Sequence, residues 1–186
     1  MKFFCQTIHR FIIAGCALFL FPVDILAATY QITQVATGLG IPWGMSFQSE
    51  SEILFTERKG RLGIVNIDSG EVNYLSGLPE IIANGQGGLM DLVKPTNNEI
   101  ADWTYFTYVK PIDAVGNGET TLARAHISKD GVFDWQDLLV THSLFGVIFD
   151  VTGIAWGSDR HFGSRIAFDD AHLYFSVGDR GNRPNG

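Results

Sequence analysis

The chain has 186 residues, 13 basic and 20 acidic side chains, and a formal net charge of −7. Such an acidic chain lacks the basic clusters on which nucleic-acid binding rests. Its two cysteines, Cys5 and Cys16, both fall in the first segment, so the rest of the chain holds neither a disulfide nor a thiolate metal site.

Residues 1–28 read as an export signal. Lys2, His9 and Arg10 make a basic start, and Phe11 to Phe21 is an apolar run too short to span a bilayer as a helix. Leu26-Ala27-Ala28 offers small residues for cleavage, which gives Thr29 as the expected mature start. Ile13-Ala14-Gly15-Cys16 has the form of a lipid-attachment box. Much of the apolar core, Ala17 to Phe21, follows Cys16 rather than preceding it, which favours plain secretion. A periplasmic or secreted protein with no stable membrane insertion is expected. The domain that remains, 29–186, carries 11 basic and 19 acidic residues and must be held by its core alone.

After Thr29 the texture is β. Short runs rich in β-branched and aromatic residues alternate with Gly, Asp and Asn. The pattern predicts strands at Tyr30–Val35, Trp43–Phe47, Ile53–Glu57, Leu62–Ile67, Glu71–Leu75, Gly88–Val93, Trp103–Tyr108, Thr121–Ile127, Leu138–Thr141, Ser164–Phe168 and Leu173–Val177. Turns are expected at Arg58-Lys59-Gly60, Asp68-Ser69-Gly70, Gly116-Asn117-Gly118, Asp130-Gly131 and Asp169-Asp170. No long stretch has a helical stripe. An all-β sandwich, barrel or propeller follows. Two phrases recur in form, Phe47 to Leu75 and Ile166 to Val177, which points toward repeated sheets. The long segment from Thr141 to Gly163 breaks the rhythm, and such connections are usually functional or mobile.

Four histidines lie beyond the leader: His126, His142, His161 and His172. None has metal-ligand spacing to another histidine, so a zinc or copper site is not expected, and no residue is assigned as a metal ligand. His126 and His172 fall in or beside strands, as satisfied structural or surface residues. His142 ends a strand with no evident partner. His161 lies in a polar loop just before a strand. If 164–168 and 173–177 pair as a hairpin, His161 and Asp179 meet at one end of the sheet. A carboxylate there would fix the imidazole tautomer and stabilise its protonated form. From the residues alone, a loop histidine whose aspartate merely ties a turn stays open. The segment Gly85-Gln86-Gly87-Gly88 suggests close backbone approach. Met90 stands where a dinucleotide fingerprint needs glycine, so Gln86 is a polar loop residue that faces either a ligand or water.

Several phrases, taken in order, carry a resemblance: Ile41-Pro42-Trp43-Gly44-Met45-Ser46-Phe47, Thr56-Glu57-Arg58, Gly60-Arg61-Leu62, Gly77-Leu78-Pro79-Glu80, Gly85-Gln86-Gly87-Gly88-Leu89, His161-Phe162-Gly163-Ser164-Arg165 and Gly178-Asp179-Arg180-Gly181. With these the chain resembles the glucose/sorbosone dehydrogenase family, and within it the aldose sugar dehydrogenases that use pyrroloquinoline quinone (PQQ). The resemblance implies a six-bladed β-propeller and oxidation of an aldose at its anomeric carbon to the lactone, with electrons passed to a further acceptor. It implies that His161 is the general base and borders the quinone, and that Asp179 orients it. Gln86 would hydrogen-bond the sugar or its water. Arg160, where relatives carry a small or acidic residue, would also face the sugar.

The resemblance further implies calcium, with most calcium ligands and the basic residues for the quinone carboxylates in a C-terminal half. At roughly forty to fifty residues per blade, the domain would make about three blades. Half a ring exposes apolar faces and strand edges. The 186-residue chain alone is therefore expected not to oxidise sugars, and a homodimer is conceivable. A non-enzymatic propeller fragment and a sugar-binding module are the competing readings.

Overall fold

The computed structural model describes residues 30–96, 102–114, 116–141 and 159–180. The export signal, His142 and most of the long segment before His161 lie outside the described residues. Every element below belongs to the compact unit formed by residues 34–186.

The strands are β1 (Pro42–Phe47), β2 (Glu52–Glu57), β3 (Arg61–Asn66), β4 (Val72–Leu75), β5 (Leu89–Val93), β6 (Thr104–Pro111), β7 (Gly118–Ser128), β8 (Gly131–Val140), β9 (Ile166–Phe168) and β10 (Leu173–Phe175). They form two four-stranded sheets, ordered β1-β2-β3-β4 and β5-β6-β7-β8, and a β9–β10 hairpin. All pairings are antiparallel. The all-β expectation holds, with three differences.

First, Tyr30–Val35 forms no strand. Its alternating apolar side chains are exposed, so nothing buries the face that would reward a ladder. Second, β8 begins at Gly131, well before the expected Leu138. The β7–β8 pairing shifts register twice, between Leu122 and Ala123 and between Arg124 and His126, so the period-two alternation is broken. Third, Ser164 stays outside the β9 ladder, with φ at 134°.

The two sheets pack face to face around Leu54 and Leu62 from the first and Leu89, Leu92, Phe106 and Tyr108 from the second. Each aliphatic side chain so buried stabilises by about 1.5–3 kcal/mol. The other face of the second sheet gives Tyr105 and Leu122 to a separate cluster with Ile166, Phe168, Leu173 and Phe175 of the hairpin. The backbones come close where β1 meets β5: a Cβ on Gly44 would lie 2.7 Å from the Leu92 amide nitrogen.

One polar device recurs at these contacts. On β2, buried Thr56 accepts from the Gly44 amide of β1 at 2.9 Å and donates to the Met90 carbonyl of the next sheet at 2.5 Å. On β6, buried Thr107 accepts from the Asp91 amide of β5 at 3.0 Å and donates to the Ser164 carbonyl ahead of β9 at 2.8 Å. Just after β10, Ser176 accepts from the Arg165 amide at 3.0 Å. Each hydroxyl follows a phenylalanine: Phe55-Thr56, Phe106-Thr107 and Phe175-Ser176. The two threonine hydroxyls are buried, with proton and lone pair both used, and make low-cost polar links between apolar sheets, whereas Ser176 is exposed and ties its own hairpin.

Candidate functional site

The hairpin does what the sequence pattern anticipated. Leu173 pairs with Phe168 and Phe175 with Ile166, and beyond the ladder the Ser164 amide donates to the Ser176 carbonyl at 2.9 Å. The chain entering β9 therefore runs beside the chain leaving β10. His161 and Asp179 meet there, with Nδ1 2.6 Å from the Asp179 carboxylate. Both side chains are half-exposed.

A carboxylate only accepts, so the Nδ1 position holds the proton. The neutral imidazole then presents Nε2 as an unprotonated acceptor. When Nε2 takes a proton, Asp179 lies in direct contact with the imidazolium. The pair is too open to water for its charge attraction to add much stability, about 0–1 kcal/mol at most. Its value is directional.

The backbone of His161 is in the left-handed region, with φ at 53°. That is uncommon for a residue with a Cβ and needs local support. The support comes from the glycine-rich loop. The His161 amide donates to the Gln86 side-chain oxygen at 2.9 Å, and the Gln86 amide donates to the Asp159 carbonyl at 2.7 Å. The loop backbone comes so near that a Cβ on Gly85, whose φ is 52°, would sit 2.1 Å from the Asp159 oxygen. A Cβ on Gly178 would likewise sit 2.0 Å from the His161 carbonyl. Glycine is required at both places by contact alone.

Of the four expected site residues, His161, Asp179 and Gln86 are thus joined directly. Gln86 holds the histidine backbone through its side-chain oxygen. Arg160 is largely exposed, with Nε 3.8 Å from the Asp159 carboxylate. Arg58 stands on the same loop system and donates to the Gly85 carbonyl. Its role was not read from the sequence, and the signal available was its place beside the Thr56-Glu57 phrase.

Two further residues were missed. Asp91 is buried on β5 and accepts from Arg165 at 3.0 Å and from the Ile166 amide at 2.8 Å, which fixes where β9 starts. Arg180, next to Asp179, is buried against the Phe162 ring, its guanidinium carbon 3.8 Å from the ring centroid. The other two described histidines behave as expected: His126 stacks on Trp103 at 3.8 Å and His172 sits 3.3 Å from Asp169.

Residues 39–186 match the model of the Glucose / Sorbosone dehydrogenase family. The chain belongs to this family. An uncharacterized protein of Synechocystis is 33% identical over 159 residues, covering 81% of this chain and 35% of the relative. The aldose sugar dehydrogenase YliI of Escherichia coli K12 is 27% identical over 159 residues, covering 84% of this chain and 40% of the relative. Among solved structures, the PQQ-bound aldose sugar dehydrogenase of Streptomyces coelicolor superposes with a TM-score of 0.63 at 22% identity, over 81% of this chain and 42% of that one. The chain thus spans about two fifths of the length of the proteins it matches.

The donor set can be weighed against the groups the family implies. An imidazole with a free acceptor nitrogen, a neutral amide and two arginines fit an anionic quinone and a sugar hydroxyl. Calcium finds no such fit among the described residues, where no three His, Cys, Asp or Glu side chains gather to hold a metal ion. Nor does any described helix have the length and apolarity to cross a membrane.

Proposed function

We propose that this chain supplies the proton-accepting side of a PQQ-dependent aldose dehydrogenase, with His161 as base. The observation that carries the reading is the 2.6 Å contact between His161 Nδ1 and Asp179, which in the neutral ring makes Nε2 the acceptor at the end of the hairpin. When bound, PQQ supplies the two-electron acceptor, and the chemistry of electron transfer is its own.

The chain's own residues handle the proton. Nε2 of His161 accepts the anomeric hydroxyl proton of the aldose, and Asp179 stabilises the resulting imidazolium. The Gln86 amide donates to the sugar or to the water it displaces. Arg58 and Arg160 would face the anionic quinone and the sugar. The site needs no protein thiol, and the domain has none.

The recurring hydroxyl links support reading the two sheets and the hairpin as successive blades of a propeller. The Thr56 and Thr107 links each join the second strand of one sheet to the chain entering the next, as radial repetition would require. We read the basic and apolar leader as an export signal that delivers the domain to the periplasm or the medium.

The test is a chimaera in which residues 39–186 replace the matching segment of the E. coli aldose sugar dehydrogenase. With PQQ, calcium, an aldose and an artificial acceptor, it should turn over. His161→Ala should lower the rate by about 10²–10⁴-fold, the usual value of a positioned base.

A further inference from the structure

The residues that follow the dyad are more deeply buried than the dyad itself. Phe162 follows His161 and Arg180 follows Asp179, and both are buried while the dyad is half-exposed. The two neighbours contact each other, the guanidinium of Arg180 lying over the Phe162 ring. Both are also fastened to one short stretch at the start of β7. Arg180 Nη1 donates to the Gly118 carbonyl at 3.2 Å and to Glu119 Oε2 at 3.3 Å. The Phe162 carbonyl accepts from Thr120 Oγ1 at 2.8 Å. Glu119 is itself buried and accepts from Thr141 Oγ1 at 3.0 Å.

We infer that Arg180 and Glu119 are positioning residues, which set the distance and angle between Asp179 and the His161 imidazole through a buried ion pair on β7. The inference rests on the reading of His161 and Asp179 as a working dyad. It goes beyond that reading by assigning the geometry to a remote pair.

The dyad's own contact is open to water, so it cannot fix two loops by itself. Both loops are strained at the residues concerned, with φ at 53° for His161 and 54° for Arg180, and strained backbone persists only where surroundings over-determine it. A buried guanidinium with a carboxylate, a carbonyl and an aromatic face around it has a single low-energy place. Burial works against the Arg180 charge and the Glu119 carboxylate favours it, so each needs the other. The arginine is therefore a peg and Glu119 its socket. Residues one peptide bond from the peg, Asp179 and through Phe162 also His161, inherit the position.

The experiment reads the dyad and not turnover, on the full chain labelled with ¹⁵N at histidine. The His161 signals are assigned by their loss in His161→Gln. The wild type should show the Nδ1–H tautomer, with a low-field Nδ1 proton slowed in exchange by Asp179. Arg180→Lys keeps a charge but loses the planar fork. It should keep the far-ultraviolet circular dichroism of the wild type while the Nδ1 proton exchanges about tenfold faster or is lost.

Arg180→Lys that folds with an unchanged His161 signal, even at a lower melting temperature, overturns the inference. So does a wild type with no Nδ1–H signal. If Arg180→Lys does not fold, Thr141→Val removes one hydrogen bond to Glu119 at nearly constant shape. It should speed the exchange severalfold, and an unchanged rate overturns the inference. A slow Nδ1 proton in a chain whose chimaera never oxidises sugar would refute the enzyme reading and leave this one standing.

Discussion

At the scale of single residues, two of the polar atoms of His161 are already engaged by its neighbours. Nδ1 is held by Asp179 and the backbone amide by Gln86, and on the proposed reading Nε2 is the proton acceptor. Asp179→Asn would keep the shape but replace an acceptor-only group with one that can donate, which permits the wrong tautomer. In the chimaera this substitution should lower kcat by about 10²-fold or more while altering KM little, because the lost interaction belongs to the protonated imidazole. Steady-state kinetics on both proteins check this. Gln86→Leu should act differently. It frees the strained His161 backbone, so both parameters should worsen together.

Another residue-scale prediction concerns Glu57. Burial pushes its carboxyl up, but the Gly40 amide, the Tyr74 hydroxyl and Arg61 outweigh this and hold it below its usual value of 4.5. A group lowered in the folded state contributes stability above its unfolded pKa and loses it as pH falls through the folded value. The wild type should therefore lose stability below about pH 4.5 more steeply than Glu57→Gln, which should be the weaker of the two at pH 7. Urea midpoints across pH 3–7 measure the crossing.

At the scale of elements, the threonine links define what a strand swap would cost. Thr56→Val and Thr107→Val each leave a buried amide and a buried carbonyl without a partner, a loss of about 1–3 kcal/mol. Their local effects should separate. Thr107 holds the Ser164 carbonyl, so its valine variant should speed hydrogen exchange in residues 161–166, whereas Thr56→Val should not.

This element was only half legible in the sequence. The recurrence of Phe47–Leu75 and Ile166–Val177 could be read as similar phrases, but the middle copy, Tyr105-Phe106-Thr107, was not legible because it lies in a strand buried on both faces. A run buried on both faces has no alternation to give it away. The start of β8 was hidden for the opposite reason, since its register shifts scramble the alternation. The His161–Asp179 meeting was legible because hairpin pairing follows from short local spacing. Arg180 was not, because an arginine in a polar loop looks the same whether it points to water or 62 residues back to Gly118.

At the scale of the whole molecule, apolar surface remains on both flanks. On one, Trp43, Met45 and Phe47 share the outer side of β1, with Met45 70% and Phe47 63% exposed. On the other, a cleft of about 580 Å³ is lined by Tyr105, Leu122, Leu139, Phe168, His172 and Phe175. Its lining includes neither His161 nor Asp179, so its size is no guide to the chemistry. Exposed apolar patches of this kind favour association. The chain should self-associate at micromolar concentration, and the double substitution Met45→Glu with Phe47→Glu should shift it toward monomer. Sedimentation velocity distinguishes the outcomes. A monomeric wild type would show that the flanks are covered or tolerated.

The proposed role of His161 as proton acceptor stands in a family fold of which this chain spans about two fifths. The direct measurement is the turnover of an aldose by the chimaera and by its His161→Ala variant, at saturating PQQ and calcium. A rate that falls by about 10²–10⁴-fold, with the variant still folded and still binding PQQ, is the predicted result. A folded, PQQ-loaded variant that oxidises the sugar as fast as the parent would contradict it.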